Sequence, residues 1–258
     1  MRLSALVYAS SLAAARAFSA TPHTRAVVRA MSGLDANCET AAVTPLLFCK
    51  PASDGICVGD CPFTHYARMA LELAGAEYLP MPLKPKNKPD WHVADHGGSM
   101  PCLAPRGLYN PAGAVSDSGA IAKGALAPTP ADDAALEACG GLFLGIAKFL
   151  KNTDDAKDPD LRAGLDAQLD ALERALAAAD GPFLSGATPG VADCSVATKL
   201  YVLLVGAGHY KSFVLDGNKH GRVGAYYASV SALPAFYSTR YPETELLHGW
   251  GEARGGGH

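Results

Sequence analysis

Along residues 45–126 short apolar runs alternate with stretches of helical period. Leu46–Cys49 is a compact apolar run that suits a buried strand, and a loop rich in Gly and Asp follows it over residues 51–60. The next segment places Phe63, Tyr66, Ala67, Ala70, Leu71 and Ala74 at steps of three and four, which is one face of a helix. Gly75 closes that helix as a C′ glycine would. Residues 77–81 predict a second strand, Cys102–Ala104 and the run near 113–115 a third and fourth, and a short helix starts at Ser118. Strand, helix, strand, then a strand pair and a helix is an α/β order with a small mixed sheet.

From about Pro130 the strand signals stop. Leu161, Leu165, Leu169, Leu172 and Leu176 keep a helical repeat, with Asp166, Asp170, Glu173 and Arg174 on the wet side. Residues 193–211 and 223–238 read as further helices, punctuated by Gly217, Gly221 and Pro234. No repeat of solenoid length is visible. The expected organisation is an α/β domain over 45–126, an all-helical domain over 130–250, and a flexible tail over 251–258 marked by Gly255-Gly256-Gly257.

Charge changes the picture at the N-terminus. Residues 1–34 hold Arg2, Arg16, Arg25 and Arg29, with no lysine and no acid. Without these four, 18 basic residues face 25 acidic ones, so the body carries a charge near −7. A basic start, an apolar small-residue stretch over 3–15 and the Ala15-Arg16-Ala17 pattern read as a signal peptide. Phe18, Ser19, Thr21, Thr24 and two arginines follow in transit-peptide style. This two-part leader resembles the pre-sequences of algae with secondary plastids and points to a plastid; a mitochondrial or plain secretory leader is the alternative. The acidic body gives no reason to expect a nucleic-acid partner. No uninterrupted apolar stretch reaches the roughly 18 residues of a membrane span, so stable membrane insertion is not expected.

The seven cysteines form no CxxC pair and no Cys/His ladder of zinc spacing, so no metal is expected. Cys139 and Cys194 lie among apolar neighbours and read as small buried hydrophobes. Cys61 does not. It falls at the N-cap of the first helix, with Pro62 at the first helical position, where a missing N–H costs nothing. A sulfur there faces unpaired N–H groups and the positive end of the helix dipole, and both favour thiolate over thiol. Cys is also a poor cap beside Ser or Asp. Asp60 next to it opposes ionisation, so a substrate-binding or proton-handling role suits it better than an activating one.

Thr64 stands where a CxxC motif would carry its second cysteine. An oxidised Cys61 must then be resolved by a thiol from outside, which points to glutathione as a co-substrate. Cys57 is the rival, internal resolver. Two more elements fit a glutathione site. Met100-Pro101 is a candidate cis bond that would turn the Met100 backbone toward an extended peptide. Asp117-Ser118 at a helix start supplies a hydroxyl and free N–H groups for a carboxylate, or simply a cap. Lys50, Lys84, Lys86 and Lys88 are candidate partners for the glycyl carboxylate, with solvated surface lysines the plain reading of Lys84 and Lys86.

With these motifs in place, residues 48 to about 250 resemble plant and algal glutathione-dependent dehydroascorbate reductases of the glutathione transferase superfamily. The similarity lies in Gly-Asp-Cys-Pro-Phe at 59–63, Lys88-Pro89-Asp90-Trp91, Met100-Pro101, Asp117-Ser118, Gly181-Pro182-Phe183, Lys199-Leu200-Tyr201 and Gly208-His209-Tyr210-Lys211. The first motif alone is also similar to omega-class transferases and intracellular chloride channel proteins. The resemblance implies a thioredoxin-like N-terminal domain followed by an all-α domain, and a monomer without a permanent cofactor. It implies Cys61 as the nucleophile, Lys50 and Asp60 as contacts of dehydroascorbate or glutathione, and Lys88, Met100, Pro101, Asp117 and Ser118 as the glutathione site. An omega-like thioltransferase, or less readily a channel-like protein, is the alternative. The chain departs from the family where Gly190 replaces a capping Ser or Thr ahead of Asp193, where Thr64-His65-Tyr66 replaces a Ser-Gln-Arg run with Arg68 one place late, and where Cys102 follows the proline.

Overall fold

A computed structural model describes residues 44–255. The leader, Cys38 and residues 256–258 lie outside the described residues. Four strands form one sheet: β1 (Leu46–Cys49), β2 (Leu79–Pro82), β3 (Cys102–Ala104) and β4 (Val115–Ser116), in the order β2-β1-β3-β4. β1 runs parallel to β2 and antiparallel to β3, and β3 antiparallel to β4. The β1–β2 crossover carries α1 (Pro62–Leu73), as a parallel pair requires. A short helix α2 (Asp90–His96), absent from the expectation, lies between β2 and β3, and α3 (Ser118–Ala125) follows β4.

Side chains of β1 alternate between two cores, as the period of two demands. Leu47 packs with Ala67, Leu71, Tyr78 and Ile121, while Phe48 packs with Leu83, Cys102 and Ala104. α1 is buried on both flanks. Ala67 and Leu71 face the sheet, and Tyr66, Met69 and Ala70 enter the helical core. The periodicity that predicted α1 also placed Phe63 on the core face, but Phe63 is 38% exposed. It sits in the first turn, beyond the sheet, and meets Phe143 edge-on at 4.9 Å.

The remaining residues are helical: α4 (Pro130–Ala138), α5 (Leu142–Lys151), α6 (Asp158–Ala178), α7 (Val191–Val202), α8 (Gly208–Lys211), α9 (Gly221–Ser231), α10 (Pro234–Thr239) and α11 (Glu243–Ala253). In α6, Leu165, Leu169 and Leu172 are buried, while Leu161 and Leu176 are partly buried. A π turn over Leu203–Ala207 joins α7 to α8, where Gly206 lets Leu150 and Leu246 pack close. The run 191–211 is long and apolar enough to cross a membrane by length and composition, yet it is mostly buried as the central core helix. Pro234 divides the run expected at 223–238 into α9 and α10. The tail expected from residue 251 begins later: α11 continues to Ala253, and Arg254 donates to the carbonyls of Leu150 and Asn152. Sheet and helical parts join through α1 and α3 in one compact unit.

Candidate active site

The loop after β1 is folded back on itself. Pro51 bridges Val58, Ala52 N–H donates to the Cys57 carbonyl (2.8 Å) and Gly59 N–H to the Lys50 carbonyl (2.8 Å). A Cβ at Gly59 would collide with the Pro51 carbonyl, so only glycine permits this return. The return brings Asp60 onto Lys50, whose ammonium pairs with the carboxylate at 2.5 Å. Asp60 is pressed against α11, where a Cβ at Gly249 would collide with its carboxylate. Glu245 of the same helix accepts from Ser53 N–H (2.9 Å) and Ser53 Oγ (2.5 Å). Two elements far apart in sequence thus fix the loop.

Cys61 then stands at the N-cap of α1 in extended conformation, with Pro62 at N1 and no capping hydrogen bond from its sulfur. It is half-buried and, like the other cysteines among the described residues, forms no disulfide. The carbonyl of Cys61 accepts from His65 N–H (3.0 Å). Cys57 is exposed at the loop tip. Its hydrogen bond to Asp54, helped by partial burial and by Glu245, pushes its thiol up. That protonated state disfavours the internal-resolver role. Cys49, at the end of β1, is buried and pushed up to about 12.

A groove of about 570 Å³ opens beside Phe63. Its walls are Asp95 and His96 from α2, Ser99, Met100, Pro101, Ser116, Asp117 and Ser118. The Met100–Pro101 bond is cis. Antiparallel pairing of Cys102 with Ser116 brings Met100-Pro101 and Asp117-Ser118 side by side across 17 residues of sequence. Asp117 has φ 128°, a left-handed conformation that costs a non-glycine residue about 1–3 kcal/mol. Three bonds hold it there: its N–H to the Pro101 carbonyl (3.3 Å), Ala120 N–H to its side chain (2.8 Å), and Ile121 N–H to its carbonyl (3.0 Å). Ser118 is buried at the first turn of α3, where the leading N–H groups lack helical partners.

His92 supports the groove from below, its Nε2 donating to the Ser99 carbonyl (2.8 Å), which also accepts from Ser116 Oγ (3.2 Å). Lys88 Nζ donates to the Gly98 carbonyl (2.6 Å) beside that loop. The groove therefore unites Met100, Pro101, Asp117 and Ser118. Cys61, Lys50, Asp60 and Lys88 are not among its lining residues, and Phe63, two residues after Cys61 in the first turn of α1, is the lining residue nearest to Cys61 in sequence. Local pattern did not single out Asp95, His96, Ser99 or Ser116; the paired Gly97-Gly98 after a short polar helix is the signal that would have found α2.

The chain is similar to known glutathione S-transferases in sequence and in fold. Residues 133–229 match the glutathione S-transferase C-terminal domain. A rice protein, "Probable glutathione S-transferase DHAR1, cytosolic", is 30% identical over 203 residues, covering 75% of this chain and 90% of the relative. The chain belongs to the DHAR family of glutathione S-transferases. A second rice relative, "Probable glutathione S-transferase DHAR2, chloroplastic", is 29% identical and covers 81% of this chain and 77% of its own length. The crystal structure of Chlamydomonas reinhardtii dehydroascorbate reductase shares the fold at a TM-score of 0.68 and 24% identity, covering 83% of this chain and all of that one.

In this DHAR-family chain the unusual His65 is an aromatic-core residue. It is 1% exposed, Nε2 faces the Phe236 carbonyl (3.4 Å), and its ring meets Phe236 at 4.8 Å and Tyr241 at 5.8 Å. Burial, with Arg68 nearby, holds the imidazole down to about 3 despite the Phe236 carbonyl. Arg68 itself donates to the Thr239 carbonyl (2.9 Å) and ties α1 to the end of α10. The unfolded chain protonates His65 below about 6.5 while the folded chain does not until about 3. Its contribution to stability is therefore full above pH 6.5 and is lost as pH falls from there toward 3. Thermal unfolding at pH 7.5 and 5.0 should show a fall in Tm, and His65→Gln should make that fall smaller. An equal fall in both proteins would exclude His65 as the source.

Proposed function

We propose that the protein reduces dehydroascorbate to ascorbate at the expense of glutathione, with Cys61 as the nucleophile. The observation that carries this reading is a single thiol at the opening of α1, with Thr64 in place of a second cysteine and a peptide-sized groove next to it. In that groove the Met100 backbone suits an extended tripeptide, and Asp117 and Ser118 suit the charged γ-glutamyl end. Lys88 supports the groove's edge, and Lys50 with Asp60 contacts dehydroascorbate or glutathione near the sulfur. The Lys50–Asp60 pair also offsets a carboxylate charge that would oppose the thiolate.

The Cys61 thiolate attacks a carbonyl carbon of dehydroascorbate, and the carbonyl oxygen takes up a proton. Water attacks the sulfur, the C–S electron pair returns to the substrate as the enediol of ascorbate, and Cys61 is left as a sulfenic acid. One glutathione displaces water from it and forms a mixed disulfide. A second glutathione thiolate attacks the glutathionyl sulfur, releasing glutathione disulfide and the Cys61 thiolate. Two electrons leave two glutathiones and reside in ascorbate; the water consumed in one step returns in the next.

The relatives' printed names divide between chloroplastic and cytosolic. The basic, acid-free leader supports delivery of this chain to a plastid. The decisive experiment follows ascorbate formation from dehydroascorbate by protein lacking residues 1–34, with and without glutathione. A large glutathione-dependent rate above the uncatalysed background is expected. A background-level rate, together with faster turnover of a glutathionylated disulfide, would replace this reading with a thioltransferase.

A further inference from the structure

α11 carries two glycines in its interior, Gly249 and Gly251, where glycine weakens a helix relative to alanine. Each admits a close neighbour. Gly251 lies against the Tyr210 hydroxyl, and Gly249 lies against Asp60. The three atoms nearest a Cβ at 249 all belong to the Asp60 carboxylate, so the missing methyl is the seat of that group. Four residues earlier, on the same face of the helix, Glu245 takes both donors of Ser53, the N–H at 2.9 Å and the hydroxyl at 2.5 Å. Glu245 and Gly249 thus grip the loop over 51–60 at two points, and Asp60 ends that loop directly before Cys61. The helix is itself firmly held. The Tyr201 hydroxyl donates to the Tyr241 carbonyl ahead of α11 (2.8 Å), the Tyr210 hydroxyl to the Leu247 carbonyl within it (2.6 Å), and Arg254 to the Asn152 carbonyl past its end (3.0 Å). Leu246 and Trp250 anchor its inner face in the helical core.

We propose that α11 positions the ion pair beside Cys61: Gly249 seats the Asp60 carboxylate, Glu245 holds the loop that carries it, and together they set where the Lys50 ammonium stands. In the Lys50–Asp60 pair the carboxylate is the enclosed member, its side chain 10% exposed against 49% for the lysine. A half-exposed lysine follows its partner, and the partner is confined by the helix. Gly249 and Glu245 act through Asp60 and Ser53, so both are positioning residues. Their role rests on the proposed contact of Lys50 and Asp60 with dehydroascorbate or glutathione, and a readout that needs no turnover separates the two.

Gly249→Ala adds one methyl where alanine suits the helix better, and the nearest obstruction is the end of a short side chain that can rotate away. Tm should hold while Asp60 leaves Lys50. Acetylation of the full chain by dilute acetic anhydride, read peptide by peptide, should then label the released Lys50 about two- to fivefold faster. The exposed Lys86 and Lys151 serve as unchanged internal references. Glu245→Ala should act in the same direction. Glu245→Gln should restore the parent rate, because an amide can accept from the Ser53 N–H and donate to its hydroxyl oxygen. In turnover, Gly249→Ala should raise the KM of the substrate that the pair holds about three- to tenfold with kcat within about twofold, the mark of lost binding rather than lost chemistry. In an Asp60→Ala background the three nearest neighbours of the new methyl are gone, so it should change either readout far less. Parent-like labelling of Lys50 in Gly249→Ala, an unchanged KM for both substrates, or an equal effect with and without the Asp60 carboxylate would overturn the proposal. Absence of turnover in the parent protein would strike the proposed reaction alone and leave the labelling to decide.

Discussion

Replacing Cys61 with serine is expected to abolish glutathione-dependent reduction of dehydroascorbate, by roughly three orders of magnitude or more. A hydroxyl at this position neither ionises at neutral pH nor accepts the two-electron oxidation to a sulfenic acid, so the cycle stops before glutathione is used. The same change should not harm the fold. Cys61 caps α1 without a hydrogen bond, whereas serine is among the preferred N-caps and can accept from the N–H groups of Phe63 or Thr64. Unfolding free energy should therefore hold or rise by up to about 1 kcal/mol. Activity lost with stability kept separates a missing nucleophile from a damaged helix. Cys57→Ser supplies the contrast: its thiol is exposed, held protonated by Asp54, and dispensable to the mechanism, so turnover should persist. Turnover of Cys61→Ser within tenfold of the parent protein would end the assignment of this sulfur.

Much of this site is legible in the sequence because its parts are local. Pro62 sets the start of α1 through its fixed φ, and that alone puts Cys61 at the N-cap. Asp117-Ser118 and Met100-Pro101 meet because a strand pair occupies the interval between them, and 17 residues is a length that a hairpin fills. What stays hidden is long-range. Gly249 and Glu245 act on the loop at 51–60 only after α11 has docked, and neither carries a local signal of that contact. Phe63 fits the helical period but lies one turn above the sheet, where period alone cannot say which end of an apolar stripe reaches the core. The α2 helix is short and polar, so its face is too brief to register as periodic. Asp117 adopts a backbone conformation that would ordinarily suggest glycine, and three converging hydrogen bonds, invisible in the sequence, hold it there.

Asp132→Ala is expected to destabilise the protein by about 3–5 kcal/mol, which for this size lowers Tm by roughly 6–20 °C. The motif at α7 explains why. Gly190 stands at the N-cap without a side chain, which leaves the first turn short of an acceptor. Asp193 supplies half of a capping box, accepting from Gly190 N–H (2.9 Å) and from Leu184 N–H (2.9 Å). The other half comes from a different helix. Asp132 of α4, only 1% exposed, reaches across with one oxygen to Ala192 N–H (2.8 Å) and Ser185 Oγ (2.5 Å). Its other oxygen accepts from Thr129 N–H (2.9 Å) and Thr129 Oγ1 (2.8 Å). Burial alone would raise this carboxyl, but the bonds from Ala192, Ser185 and Thr129 outweigh it and hold it below its usual range. Its contribution is therefore full above pH 3.8 and is lost as pH falls through the lower folded value. Gly190 is what makes room: a Cβ there would collide with Ser185 Oγ and stand 2.8 Å from Asp132 Oδ1. Gly190→Ser, which cap preferences alone rate as nearly neutral or slightly favourable, should destabilise the parent protein. In the Asp132→Ala background one of the two obstructions is gone and the Ser185 hydroxyl, released from Asp132, is free to turn away, so the same change should cost less. A denaturant double-mutant cycle reads this coupling directly. If Gly190→Ser has the same effect in both backgrounds, Asp132 is not the substitute cap, and the missing hydroxyl at residue 190 is simply tolerated.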